Sequence, residues 1–278
     1  MLATSTPPLV VLTDFFAVTN RALSYAAGLA VPLRAQLVLL HVRNDALLAP
    51  YEYSEYYTRA GEQRTGKALA KLAADQPVPT EVAVSEEFLP DAVREAIERH
   101  HPLMLVLGRP GSSTAPEGLV VRTAMNLLSR VPYPLLVIPS VGWDVYPPCR
   151  LLLAVDGEPF TLGPHQDIVR RLLLATSASL KVVQVLNPGV PDLPDPVAVL
   201  NTIRANNLVD DVAESEFHQL PRPTVADGVL QEINRVAADL LVVVARRHSL
   251  LGSLFHESVT ARLLEQSPIP VLLLPAED

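Results

Sequence analysis

One cysteine, Cys149, stands in a chain of 278 residues, so no disulfide can form within it, and a scaffold cross-linked for an oxidising compartment is excluded. Positive charge is scarce too: 22 Lys and Arg face 30 Asp and Glu, for a net charge of −8. Sequence-independent nucleic-acid binding needs a Lys/Arg surface to neutralise phosphates, and no basic run exists to supply one. Long apolar runs are missing as well. The longest, such as 240–245, fall far below the roughly 20 residues of a membrane helix. Residues 1–8 lack the charged and apolar regions of a signal peptide. A soluble, cytoplasmic chain without membrane or nucleic-acid partner is expected.

Conventional catalytic sets are absent. There is no G-x-S-x-G elbow and no Walker A lysine. The seven histidines are scattered, and no Cys or His pair has ligand spacing, so neither a zinc site nor an enzyme is expected. The carboxylate pairs Glu86/Glu87 and Asp210/Asp211 read as solvated edges.

What is abundant is apolar residue, 49%, and proline, 26, the latter falling mostly between apolar runs. The runs are LVVL (9–12), LVLLHV (37–42), EVAVS (81–85), LMLVLG (103–108) and LLVI (135–138). Continuous apolar runs without alternation suit strands buried on both faces of a parallel sheet, and helix-like stretches between them imply right-handed crossovers. The same order returns as LLLAVD (151–156), LKVVQV (180–185), VAESEFHQL (212–220), LLVVVA (240–245) and VLLL (271–274). Asp14 matches Asp156, Val42 matches Val185, Leu103 matches Leu240 and Pro134 matches Pro270, at an offset that shrinks from about 142 to about 136. A repeat this long is a duplicated domain, since solenoid units span roughly 20 to 50 residues.

The domains are set at 1–140 and 150–278, with 141–149 as linker, where Pro147 and Pro148 can continue neither element. Helices are expected over 19–30, 52–74, 90–99 and 119–130, then 162–176, 196–206, 225–237 and 254–265. The last helix of each copy stops before a Pro-x-Pro that launches a strand.

VVLTDFF with RALSYAAGLA, AQLVLLHV, LMLVLGRPG and VPYPLLVIP, then LLLAVDGEP, ASLKVVQVLN, DLLVVVARRHSLLGSLFHES and SPIPVLLLP, occur in an order and spacing that resembles the universal stress proteins, twice over. The resemblance implies an α/β fold: two doubly wound open parallel five-stranded sheets of order 3-2-1-4-5, flanked by helices and fused in tandem. It also implies that the fifth strands meet at a two-fold-like interface, here inside one chain as a pseudo-dimer. In such proteins an adenine nucleotide, ATP (with Mg) or AMP, can bind at the carboxyl ends of strands one and four, the crevice of an open α/β sheet.

By that resemblance Asp14 and Asp156 would contact the adenine and ribose side of a nucleotide; as plain aspartates at strand ends they would cap a turn or helix. Val42 and Val185 stand at the adenine-facing position, although a valine in a buried strand is also simply core. Gly108 and Gly111 keep the spacing G-x-x-G, which lets backbone N–H groups approach a phosphate, but Pro110 removes one donor. Nine residues on, where the family has Gly-Ser, the chain has Val121 and Arg122. Copy two has Ala245 and His248 at the glycine positions, then Glu257 and Ser258. Arg246, Arg247 and His248 form a cationic stretch that either binds an anion through side chains or is a solvated loop. The segment 51–57, YEYSEYY, holds four of the seven tyrosines and reads either as a protein-partner contact or as packing within its own domain.

A non-catalytic stress-response protein with a degenerate nucleotide site follows. The alternative is a copy one that still binds ATP, with slow hydrolysis or self-phosphorylation, and a third reading is a partner-binding module using the tyrosines.

Overall fold

The central strands are apolar along most of their length because both of their faces are covered. The computed structural model describes residues 7–13, 17–43, 59–109, 118–140, 146–163, 166–186, 195–210, 213, 216–246 and 258–277. Copy one runs β1 (Leu9–Thr13), α1 (Ala17–Leu33), β2 (Leu37–Val42), α2 (Arg59–Ala74), β3 (Thr80–Ser85), α3 (Leu89–His100), β4 (Met104–Arg109), α4 (Leu119–Arg130) and β5 (Leu135–Pro139). Copy two follows with β6 (Arg150–Val155), α5 (Ile168–Thr176), β7 (Ser179–Leu186), α6 (Pro196–Ala205), β8 (Phe217–Pro221), α7 (Val225–Arg235), β9 (Leu240–Ala245), α8 (Val259–Gln266) and β10 (Val271–Pro275).

Each half has the parallel order 3-2-1-4-5, as expected. The halves do not remain two sheets, however. They join edge to edge into one ten-stranded sheet, β3-β2-β1-β4-β5-β10-β9-β6-β7-β8. At the seam β5 and β10 run antiparallel, with Leu135 opposite Leu273, Leu136 opposite Leu272 and Val137 opposite Val271. These side chains are buried, and each stabilises the fold by roughly 1.5–3 kcal/mol. Both core layers cross the seam without a break: Leu12, Val137, Val271 and Val243 lie in one, Val11, Leu136, Leu272 and Val242 in the other.

Helix ends follow local chemistry. Asp195 accepts from the Val197 N–H and is followed by Pro196, so α6 starts with a side-chain cap and a preset φ. Gly118, at φ 73°, turns the chain into α4 in a conformation that favours glycine. Several expected boundaries move. The helix drawn over 162–176 begins only at Ile168, and Leu162 instead forms an antiparallel bridge with Ala276. The strand drawn over 212–220 is Phe217–Pro221, an outer strand paired only with β7, where burial on two faces no longer writes an apolar run. The helix of 225–237 stops at Arg235, with Ala237 at φ 50°. Residues 52–58 and 254–257 of two other expected helices lie outside the described residues.

Outer strand β8 is tied to α7 by a buried carboxylate. Glu232, its side chain 1% exposed, accepts from Arg235 Nε at 2.7 Å and Nη2 at 2.6 Å, and lies 2.8 Å from Nδ1 of His218 on β8. Burial alone would raise its pKa, but hydrogen bonds from Arg235 and His218 outweigh burial and hold the carboxyl below its ordinary value.

About one turn further toward its start, α7 meets β7 at Gly228. A Cβ built there would lie 2.7 and 2.8 Å from the two γ-carbons of Val185, a stiff, buried side chain. Gly228→Ala is therefore expected to destabilise the fold by about 1–2 kcal/mol: overpacking of this kind costs roughly 1–3 kcal/mol, and the better helix propensity of alanine offsets at most about 1. Urea unfolding of the two proteins measures it, and an alanine variant as stable as the parent would show that α7 is free to step back.

Candidate crevices at the carboxyl ends of the strands

In copy two the expected crevice lies where β6 and β9, neighbours in the sheet, end side by side. Asp156 follows β6, and Arg246 follows β9. Asp156 Oδ1 accepts from the Glu158 N–H at 3.0 Å, a local turn in which Gly157 adopts φ 93°. The same carboxylate receives Arg246 as a fork, from Nε to Oδ2 at 2.5 Å and from Nη2 to Oδ1 at 2.9 Å. Arg246 also donates to the carbonyls of Glu158, at 2.8 Å, and Pro159, at 3.1 Å. Its side chain is 5% exposed while that of Asp156 is 50% exposed. A planar guanidinium with parallel bonds to a carboxylate is among the stronger polar contacts available to a protein. Arg246 thus turns inward instead of extending a cationic surface.

Residues 158–163, and with them Gln166, form a strap over this end of the sheet. Asn206 donates from Nδ2 to the Phe160 carbonyl at 2.9 Å and accepts the Leu162 N–H at 2.7 Å. The Glu277 N–H reaches the Thr161 carbonyl at 2.9 Å, and Gln166 Nε2 reaches that of Pro275 at 2.6 Å. Beneath it, buried Gln184 donates to the Asp156 carbonyl and accepts from Gln219, a chain of amides across the ends of β6, β7 and β8. Val185 is buried against Gly228, and Ser258 caps α8, accepting from the Ala261 N–H at 3.0 Å.

Copy one is arranged differently. Val42 ends β2 in the core beside Leu12 and Leu40, and Gly108 is buried near the end of β4, opposite Ile138 on β5. The step of nine residues from Gly111 lands inside α4. There the Val121 side chain joins the core, and exposed Arg122 gives its N–H to the Gly118 carbonyl, so this stretch is helix where the resemblance expected an open phosphate loop. Asp14, Gly111, Arg247, His248 and the 51–57 segment lie outside the described residues. Of the sequence-derived site residues, the structure brings together Asp156 and Arg246, and it leaves Val185, Ser258, Val42 and Arg122 in structural contacts.

Sequence reasoning passed over Arg109, the last residue of β4. Aligning Leu103 with Leu240 pairs it with Arg246, and that signal was available. Arg109 points away from its own copy, to the carboxyl end of α8: its Nη1 donates to the carbonyls of Leu264 and, at 2.8 Å, Glu265, and its Nη2 to that of Ser267 at 2.7 Å. Burial lowers its pKa and the Glu265 carboxylate partly restores it. Asn206, Gln166 and Gly118 were also passed over, and no spacing in the sequence marks them.

Among the described residues no three His, Cys, Asp or Glu side chains converge as a metal site, and no helix is long and apolar enough to cross a membrane.

The family model of universal stress proteins matches residues 7–139 and 150–275. Among curated proteins no sequence match is found. Similar solved structures include a universal stress protein from Archaeoglobus fulgidus, 16% identical, with a TM-score of 0.67 over 97% of this chain and 98% of that one. Another is a putative universal stress protein from Pseudomonas aeruginosa, 15% identical, with a TM-score of 0.54 over 99% and 95% of the two chains. The cytoplasmic domain of a prokaryotic cation chloride cotransporter, 11% identical, also shares the fold, with a TM-score of 0.54 over 97% and 95%. At these identities the structures speak for the fold alone.

Proposed function

Because the chain belongs to the universal stress protein family, twice over and along nearly its whole length, we propose that it is a cytoplasmic, non-catalytic stress-response protein that works by binding or regulation, with copy two closed to nucleotide. The contact between Arg246 and Asp156 carries this reading. An adenine nucleotide in copy two would need the carboxylate that Arg246 occupies. Taking it away strands a buried guanidinium, which costs about 3–5 kcal/mol in a fully buried pair. With Asp156 half open to water the cost here is about 2–3 kcal/mol, and at about 1.4 kcal/mol per tenfold that alone would weaken a micromolar site roughly 30- to 150-fold.

Copy one supports a second reading. Arg109, the counterpart of Arg246, is drawn off to α8, so the same plug is not set at the end of β1. ATP with Mg, or AMP, bound there would be held once per chain and not twice, with slow hydrolysis or self-phosphorylation as the possible chemistry. Calorimetry with Mg-ATP on the parent, Asp14→Ala and Asp156→Ala separates the readings. The non-binding form expects no heat at millimolar ligand and no nucleotide carried through purification. Heat abolished by Asp14→Ala alone assigns the ligand to copy one, and heat abolished by Asp156→Ala overturns the closed copy two.

A further inference from the structure

Arg109 and Arg246 hold the same place in the two repeats, each leaving the fourth strand of its copy, yet one binds across the seam and the other binds within its own copy. The acceptors of Arg109 are carbonyls at the carboxyl end of α8 and the residue just beyond it. A helix end of this kind gathers carbonyls without intrahelical partners and the negative end of the helix dipole, so a guanidinium fork suits it. The gripped turn is itself built tightly: Ser267 is fully buried, and its Oγ donates to the Ile269 carbonyl at 2.7 Å just ahead of seam strand β10.

We infer that Arg109 is a one-way lock between the copies, in which copy one supplies the fork and copy two supplies the carbonyls. The reciprocal arginine is committed to Asp156, Glu158 and Pro159, so two copies of the second kind would meet with their forks already engaged. Two second halves would therefore meet without the lock. The lock also ties the carboxyl end of β4, where Gly108 sits, to α8. That helix, about 12 Å long for its eight residues, is capped by Ser258 in the second copy. Displacing the end of β4 has to displace α8 or break the lock.

Hydrogen exchange followed peptide by peptide in the full chain tests this, with Arg109→Ala, Arg109→Gln and Arg109→Lys beside the parent. In the Ala and Gln variants, amides of 259–270 are expected to exchange at least about tenfold faster while those of β6, β7 and β8 keep their parental rates, because local opening is then separated from global unfolding. Lys, a single donor group without the planar fork, should fall between. Unchanged protection of 259–270 overturns the lock, and so does an equal acceleration throughout copy two, which is what a merely structural role would give. If the Ala variant does not fold, the Gln and Lys variants are read by the same criterion.

Discussion

Asp156→Ala is expected to lower the stability of the chain by about 2–3 kcal/mol, whereas Arg246→Met should change it by no more than about 1 kcal/mol. The asymmetry follows from what each substitution leaves behind. Without Asp156 the guanidinium of Arg246 remains enclosed, with two neutral carbonyls in place of a counter-charge, and an uncompensated buried charge is the costly outcome. The value is set below the roughly 3–5 kcal/mol of a fully buried pair because Asp156 is half open to water. Without Arg246, Asp156 keeps its turn to Glu158 and can be hydrated, while methionine fills similar volume. Urea unfolding of the three proteins measures the difference. Equal losses for the two variants would mean that the pair is held by packing of the strap and not by charge.

Glu232→Gln is the second substitution with a large expected effect, about 2 kcal/mol near pH 7, and the loss should depend on acid. Hydrogen bonds to a charged group contribute roughly 1.5–3 kcal/mol, and Glu232 is buried, although half-exposed Arg235 limits its share. The folded pKa lies below the unfolded value of about 4.5, so as the pH falls the unfolded chain binds the proton first. The stabilisation is whole above the unfolded pKa and vanishes as the pH drops through the folded one. Unfolding curves of parent and variant should accordingly diverge near neutrality and converge in acid. A gap that persists or widens below the folded pKa would sink the assignment.

The duplication was legible because inner strands such as β5 and β9 are apolar from end to end, and that run depends only on being covered twice, whereas the strand order came from the resemblance. Leu37–Val42, Leu240–Ala245 and Leu119–Arg130 fall where the pattern puts them. Outer strand β8 was drawn too long since Phe217, His218 and Gln219 answer to one neighbour and to solvent. Leu162 was assigned to a helix, yet its partner is Ala276, more than a hundred residues away. The site fared likewise. Asp156 was singled out from its place at a strand end, but the direction of Arg246 is decided by where two distant strand ends meet in space. Opposite fates for Arg109 and Arg246 arise from the seam, which no window of sequence contains.

Joining the halves changes which strands face the outside. A lone copy would leave β5 or β10 as an open edge, and LLVIP and VLLLP, buried throughout, carry no charge to deter a foreign strand. In the joined sheet the outermost strands are β3, which carries Glu81, and β8, which ends in Pro221. The order of synthesis works against this arrangement: β5 is made about 130 residues before β10. Domains fold as they emerge, amino-terminal first, so for that interval a finished copy one presents a bare, sticky ribbon to its surroundings. Tethering keeps the missing strand at high effective concentration once it appears. Aggregation during translation is thus the hazard built into this architecture, and it ends only when β10 docks.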